Sequence, residues 1–333
     1  MPGEAKVSTW FCYLVSHIKK GEERMNKKLA FYILKRVLLA FLTIVIVITV
    51  TFFAVQLIPG GPFTSEKAVS PETLERLEKM YGLDKPLFIQ YLNYLGHALI
   101  FDFGYSIKSR GAVTVGAIIA DRMQYSAVVG LIAAFIAIIV GVVLGSLAAY
   151  KHNTTTDRVI MVLSTASVAV PSFIISTILL YLFGNLWKIL PANSFDWRGY
   201  ILPTLTLSLS PMAYITRLTR SSTLDVLGSD YIRTAYAKGS SFSRVLYKHS
   251  LRNSLTPVIT YAGPMIAFIV TGSLVVEKIY GIPGIGREFV NSITNRDYPE
   301  VMGLTIFLTY MVVIMVLVSD ILYKVVNPRV ELE

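Results

Sequence analysis

Long uncharged apolar runs alternate with polar segments along the chain. A helix that crosses the hydrocarbon core of a bilayer needs about 20 apolar residues. Runs of that kind occupy 37–58, 126–150, 159–187, 255–276 and 301–323. The run 159–187 is interrupted by Pro171, and 255–276 contains Pro257 and Pro264. The last run holds one acid, Asp320, near its end, where it can snorkel to the interface or meet Lys324.

The segment 201–216 reads differently. Thr204, Thr206, Ser208 and Ser210 alternate with leucines and other apolar residues, which is a strand period. An isolated strand cannot span lipid, because its backbone groups would have no partners. The segment is therefore expected to be a helix that is polar on several sides, with Pro203 and Pro211 near its ends. Such a helix is either surrounded by protein or lines a cavity, and on the second alternative the four hydroxyl residues line a pathway. The chain thus reads as an all-α membrane protein with about six transmembrane helices.

The expected organisation follows from these runs. An N-terminal segment 1–36 precedes the first transmembrane helix, 37–58. A small external region, 59–112, comes next, then a membrane core, 113–325, with a large internal loop at 217–252, and a tail, 326–333. The first run is too long for the apolar core of a signal peptide, and no small-residue cleavage site follows it. Upstream, Lys20-Gly21-Glu22-Glu23 can be encoded by a purine-rich stretch ahead of Met25. Met25 is therefore the expected start, with residues 1–24 a mis-assigned extension; a genuine cytosolic tail is the alternative.

Composition agrees with the membrane reading. Hydrophobic residues make up 54% of the 333 and charged residues 16%, against roughly 25% charged in soluble domains. The net charge is +10, and its placement gives orientation. Six spans put both termini on one side, and Lys27, Lys28, Lys35 and Arg36 before the first span mark that side as cytoplasmic. The segments then inside carry 19 Lys and Arg against 12 outside. The basic excess records orientation in the membrane, so nucleic acid is not an expected partner.

In the external region, Ser70-Pro71-Glu72 opens a helix that Gly82 closes. The stretch 115–123, apolar beside Asp121 and Arg122, is expected to lie at the interface ahead of the second span. This external layer is either a spacer or a docking surface. The pair Gly141 and Gly145 is a close-packing signal, expected more for packing within the chain than for a dimer.

Candidate chemistry is sparse. The chain has one cysteine, Cys12, and four scattered histidines, His17, His97, His152 and His249, so no metal site and no cofactor are expected. No phosphate-binding Gly-x-x-x-x-Gly-Lys-Ser/Thr loop occurs, and no catalytic group is expected. Within the spans only Asp320 is ionisable, whereas carriers coupled to ions usually bury several such groups. The energy source is expected outside the bilayer. A carrier working alone and a membrane-embedded enzyme are the rival classes.

The loop 217–252 is the most informative segment. Ser229-Asp230 starts a helix in which Tyr231, Ile232, Ala235 and Tyr236 share a face; Gly239 ends it, and Ser241 can cap a second helix. An exposed apolar stripe on a basic loop suggests a partner protein; a face resting on the membrane is the alternative.

Here the sequence resembles a known family. Asp230-Tyr231-Ile232-Arg233-Thr234-Ala235-Tyr236-Ala237-Lys238-Gly239, followed by Arg244, His249 and Pro257, resembles the EAA loop of binding-protein-dependent ABC importer permeases. The Glu and first Ala of the family core are replaced by Arg233 and Thr234, while Ala235 and Gly239 stay in register. Seven further segments agree in order. They are Pro59-Gly60-Gly61-Pro62-Phe63, 81–87, 102–106, Pro171-Ser172-Phe173, Glu277 through Gly286, 295–299, and Asn327-Pro328-Arg329-Val330.

Together they resemble the B-type permease subunit of oligopeptide importers, and the Pro-Gly-Gly-Pro-Phe form resembles that branch more than the dipeptide or nickel branches. The resemblance implies a type I ABC importer permease fold in the bacterial cytoplasmic membrane, with both termini cytoplasmic. It implies four kinds of partner: a homologous second permease, two cytoplasmic ATPase subunits, an extracytoplasmic peptide-binding protein and the peptide substrate. It also implies that Asp230, Tyr231, Arg233, Thr234, Ala235, Ala237, Lys238 and Gly239 contact the ATPase.

Overall fold

The computed structural model describes residues 31–57, 82, 84–109, 112–191, 196–241, 244–245 and 250–326, with the side chains of 252 and 322–326 excepted. The described residues are helical apart from turns and one isolated bridge between Tyr105 and Thr114. Helix α1 spans Phe31–Gln56, and α2 Leu87–Leu99. Helix α3 is the longest, Val115–Tyr150. Helix α4, Thr155–Ala169, and α5, Ser172–Leu179, are separated at Pro171, and α5 runs into a π-helical turn, Leu180–Leu186. Then come α6, Ile201–Leu227, α7, Asp230–Ala237, and the short α8, Leu251–Ser254. The chain continues through α9, Thr256–Val270, α10, Leu274–Tyr280, α11, Ile285–Thr294, and α12, Tyr298–Val326.

Among the described residues, α1, α3 and α12 are long and apolar enough to cross a membrane. The expected runs 159–187 and 255–276 appear as bent pairs. The chain turns by 103° between α4 and the α5 segment, and by 48° between α9 and α10. At the first break Pro171 lacks an N–H and pushes Val170 out of helical geometry; Val170 has φ −85° and ψ 123°. At the second, Gly272 takes a φ of +88°, which an L side chain rarely adopts.

Three expectations change. The stretch 115–123 is not a separate interfacial piece; it is the first part of α3, because Thr114 caps the helix by accepting from the Ala117 N–H and nothing breaks it before Ser126. Pro211 does not sit near a helix end, since α6 runs through it to Leu227, well into the segment expected to be loop. Asp320 meets Arg36 of α1, at 3.0 Å; Lys324, its other expected partner, has its side chain outside those described. The spans are also less bare of charge than expected, since Asp157, Arg220 and Glu300 lie within helices that extend beyond the apolar runs. The helix expected from Ser70 lies outside the described residues; its closing Gly82 has φ +67°.

Helix α3 is the central strut. Gly130, Gly141 and Gly145 fall on one face, at spacings of three turns and one turn. A Cβ on Gly130 would lie 2.7 Å from the Ile269 carbonyl oxygen of α9. On Gly141 it would lie 2.8 Å from the Ile215 side chain, and on Gly145 2.5 Å from the Thr216 carbonyl oxygen, both on α6. The Gly141/Gly145 pair therefore packs within the chain. On other faces Leu131, Phe135, Ile139 and Val143 are exposed. With apolar residues all round, the helix is patterned by side-chain size: small residues turn inward and large ones outward, as expected where lipid is as apolar as the core.

Candidate functional site

Helix α7 follows α6 after the turn Gly228-Ser229. Ser229 has an extended backbone ahead of it, φ −75° and ψ 154°, and Asp230 places an acid in the first turn. Gly239 takes φ +80° two residues past the last helical position, so the helix stops where an L side chain would be strained. Ile232 is fully buried and Ala235 partly so, while Tyr231 and Tyr236 are 45% and 38% exposed. Partial burial raises the Tyr236 phenol above its ordinary pKa. Asp230, Arg233, Thr234, Ala237, Lys238 and Gly239 are exposed. Asp230 and Arg233 pair loosely, at 3.7 Å. The expected apolar face is thus split: Ile232 anchors the helix to its own chain, and the two tyrosines face outward.

Three contacts fix the platform beneath α7. The Asn253 amide donates to the Tyr231 hydroxyl at 2.9 Å, tying α7 to α8. The buried Thr223 hydroxyl donates to the buried Ser254 hydroxyl at 3.1 Å, tying α6 to α8. Arg220 of α6 grips Asp157 of α4 with two bonds, Nε to Oδ1 at 2.6 Å and Nη2 to Oδ2 at 2.7 Å. The Asn153 N–H also donates to Asp157, and His152 lies 3.2 Å from Arg220. The α3–α4 turn, α6, α7 and α8 are thereby joined at one end of the molecule. The second helix expected from Ser241 falls largely outside the described residues.

The opposite end is organised by a buried carboxylate. Glu277 of α10 accepts from the Ser126 hydroxyl of α3 at 2.7 Å and from the Arg287 N–H at 3.1 Å. Ser126 in turn accepts from the Ile285 N–H at 2.8 Å. Gly272 and Gly284 leave room for that carboxylate; a Cβ on either would approach it within about 2.5 Å. The motif running from Glu277 to Gly286 is therefore a loop folded around its own acid.

Of the four hydroxyl residues considered for a pathway, Thr204, Thr206 and Ser208 are buried within this chain and Ser210 is exposed. Thr206 donates to the Leu202 carbonyl and lies 3.1 Å from the Tyr280 hydroxyl. Ser208 likewise bonds back to its own helix, donating to the Leu205 carbonyl. The Asp157–Arg220 and Ser126–Glu277 pairs went unseen in the sequence. Their members are 63 and 151 residues apart, and no local pattern marks them.

Comparison with known proteins agrees with this architecture. Residues 141–332 match the family described as the binding-protein-dependent transport system inner membrane component, and residues 29–134 match its N-terminal companion. The chain is 42% identical over 307 residues to the dipeptide transport system permease protein DppB of Bacillus subtilis, covering 91% of this chain and 99% of that one. It is 41% identical over 304 residues to the oligopeptide transport system permease protein OppB of Salmonella typhimurium, covering 90% and 98%.

Proposed function

This chain belongs to the inner membrane components of binding-protein-dependent transport systems, and from that premise we propose that it is the permease subunit of an ATP-driven peptide importer. It forms one half of the translocation pathway beside a second, homologous permease. ATP hydrolysis belongs to two partner ATPase subunits, and an extracytoplasmic binding protein delivers the peptide. The end that carries α7 faces the cytoplasm, as do both termini, and residues 217–252 form the coupling region within a core of 113–325.

The observation that carries the coupling role is the mounting of α7. It presents Tyr231 and Tyr236 outward from a helix seated on its own chain by Ile232. It continues from α6, so a push on α7 acts on a span packed closely along α3. An exposed aromatic pair on a rigid seat suits a partner groove. Asp230, Arg233, Thr234, Ala235, Ala237, Lys238 and Gly239 complete the surface offered to the ATPase.

Gly239→Trp tests it. A bulky residue at φ +80° strains the helix end, so ATP-driven peptide uptake in proteoliposomes should fall by about tenfold or more, while the chain still inserts and ATP hydrolysis persists. Normal uptake by that variant would sink the coupling role. Peptide length is a finer matter. Relatives named for dipeptides and for oligopeptides match equally well, at 42% and 41% identity, and Pro59-Gly60-Gly61-Pro62-Phe63 favours oligopeptides. Growth of an auxotroph on tri- to pentapeptides but not on dipeptides would support that branch.

A further inference from the structure

At the end of the molecule away from α7, a cleft of about 520 Å³ opens between the turn at 106–109, the first turns of α3, and helices α11 and α12. Ala117 on its wall lies 28 residues before Gly145, which packs against the platform end of α6. At ~1.5 Å per residue, the cleft and the platform are about 40 Å apart along α3.

The charges in this cleft do not balance. Asp121, Glu288 and Glu300 line it with Lys108 and Arg122. Arg122 lies 3.2 Å from Glu288 and 3.3 Å from Asp121. Beneath them, buried Asp297 is bonded on both oxygens: it accepts from the Ser106 hydroxyl at 2.6 Å, the Lys108 N–H at 2.9 Å and the Glu300 N–H at 3.3 Å. Glu300 is the exception. It is 3% exposed, and its Oε1 has no hydrogen-bond partner among the described residues. A buried carboxylate oxygen without a partner is costly, and the neighbouring acids Asp297 and Glu288 add repulsion that Lys108 and Arg122 offset only in part. Lys108 is exposed at the rim and near enough to Glu300 to act on its charge.

The complement to Glu300 is a cationic N–H donor. No three His, Cys, Asp or Glu side chains among the described residues are grouped to hold a metal ion. An organic cation fits better, because Val113 and Ala117 give the cleft an apolar wall along which the methylene stem of a basic side chain can lie. We propose that this cleft is a socket for a lysine or arginine side chain of the extracytoplasmic binding protein, with Glu300 as its charge partner. The inference rests on the reading that a binding protein docks at the end opposite α7.

The test uses the complete complex in nanodiscs, with ATP hydrolysis followed as peptide-loaded binding protein is titrated at low and high salt. Glu300→Gln is expected to raise the half-stimulating concentration about tenfold at low salt, with a smaller effect at high salt and the maximal rate retained. Lys108→Gln removes a cation that repels the incoming one and is expected to lower that concentration about threefold. An unchanged half-stimulating concentration in Glu300→Gln, or weaker docking in Lys108→Gln, overturns the socket. If Glu300→Gln fails to assemble, the sign of the Lys108→Gln effect decides. A wild-type complex that the binding protein does not stimulate overturns the transport reading, and the socket with it.

Discussion

Asp157→Asn examines the pair that holds the platform beneath α7. The carboxylate is 3% exposed and Arg220 21% exposed, with bonds of 2.6 and 2.7 Å. Removing one partner from a buried ion pair costs about 3–5 kcal/mol, because the other charge is stranded. Arg220 keeps some solvent and His152 beside it, which brings the expected loss to the bottom of that range or just below it, about 2–3 kcal/mol. Part of this belongs to the turn, since Asn153 has φ +63° and donates its N–H to Asp157. Arg220→Met strands the carboxylate instead and should cost a similar amount. The double variant leaves no charge unpaired, so it should be less destabilised than the sum of the two single ones. The expected coupling energy is about 2 kcal/mol, read as unfolding free energies in mixed detergent micelles for the four members of the cycle. A coupling below about 0.5 kcal/mol would mean that the pair is a solvated surface contact, and the reasoning from burial would fail.

Two further outcomes follow from the packing. Gly145→Leu drives its Cβ to within 2.5 Å of the Thr216 carbonyl oxygen, and backbone cannot yield cheaply, so the chain should lose about 3 kcal/mol or more. Gly116→Leu, where an added Cβ meets nothing within 4 Å, is the matched control and should be near neutral in the same unfolding assay. Ser126→Ala removes the donor to Glu277 and the acceptor for the Ile285 N–H. It leaves both groups buried without that partner and should cost about 2–4 kcal/mol by the same assay; a neutral result would show that the loop does not depend on this hydroxyl.

The legible parts of the site were those written in local sequence. The position of α7 was readable because Ser229 and Asp230 favour a helix start and Gly239 permits a positive φ that ends it. Which of its apolar residues would face inward was not readable, because the stripe contains Ile232, Tyr231 and Tyr236 alike. Only the approach of the rest of the chain assigns Ile232 to the interior. The hydroxyl residues of α6 show the same limit of pattern. Their alternation left open a helix surrounded by protein and a helix lining a cavity; within this chain Thr204, Thr206 and Ser208 are buried and Ser210 is exposed, and Thr206 and Ser208 bond back to their own helix.

The sequence by itself determined that this chain lies in a membrane, where most of its apolar helices run and that one of them breaks at Pro171. Those outcomes depend on transfer of apolar side chains out of water and on the fixed φ of proline, both local properties. Partnership was decided by the tertiary structure. Asp320 meets Arg36, Ser126 holds Glu277, and the glycines of α3 receive α6 and α9. In lipid both faces of a helix are apolar, so hydropathy carries no record of which face turns inward. The rotation and close approach of the helices supply that information, and they bring together charges that the sequence places far apart.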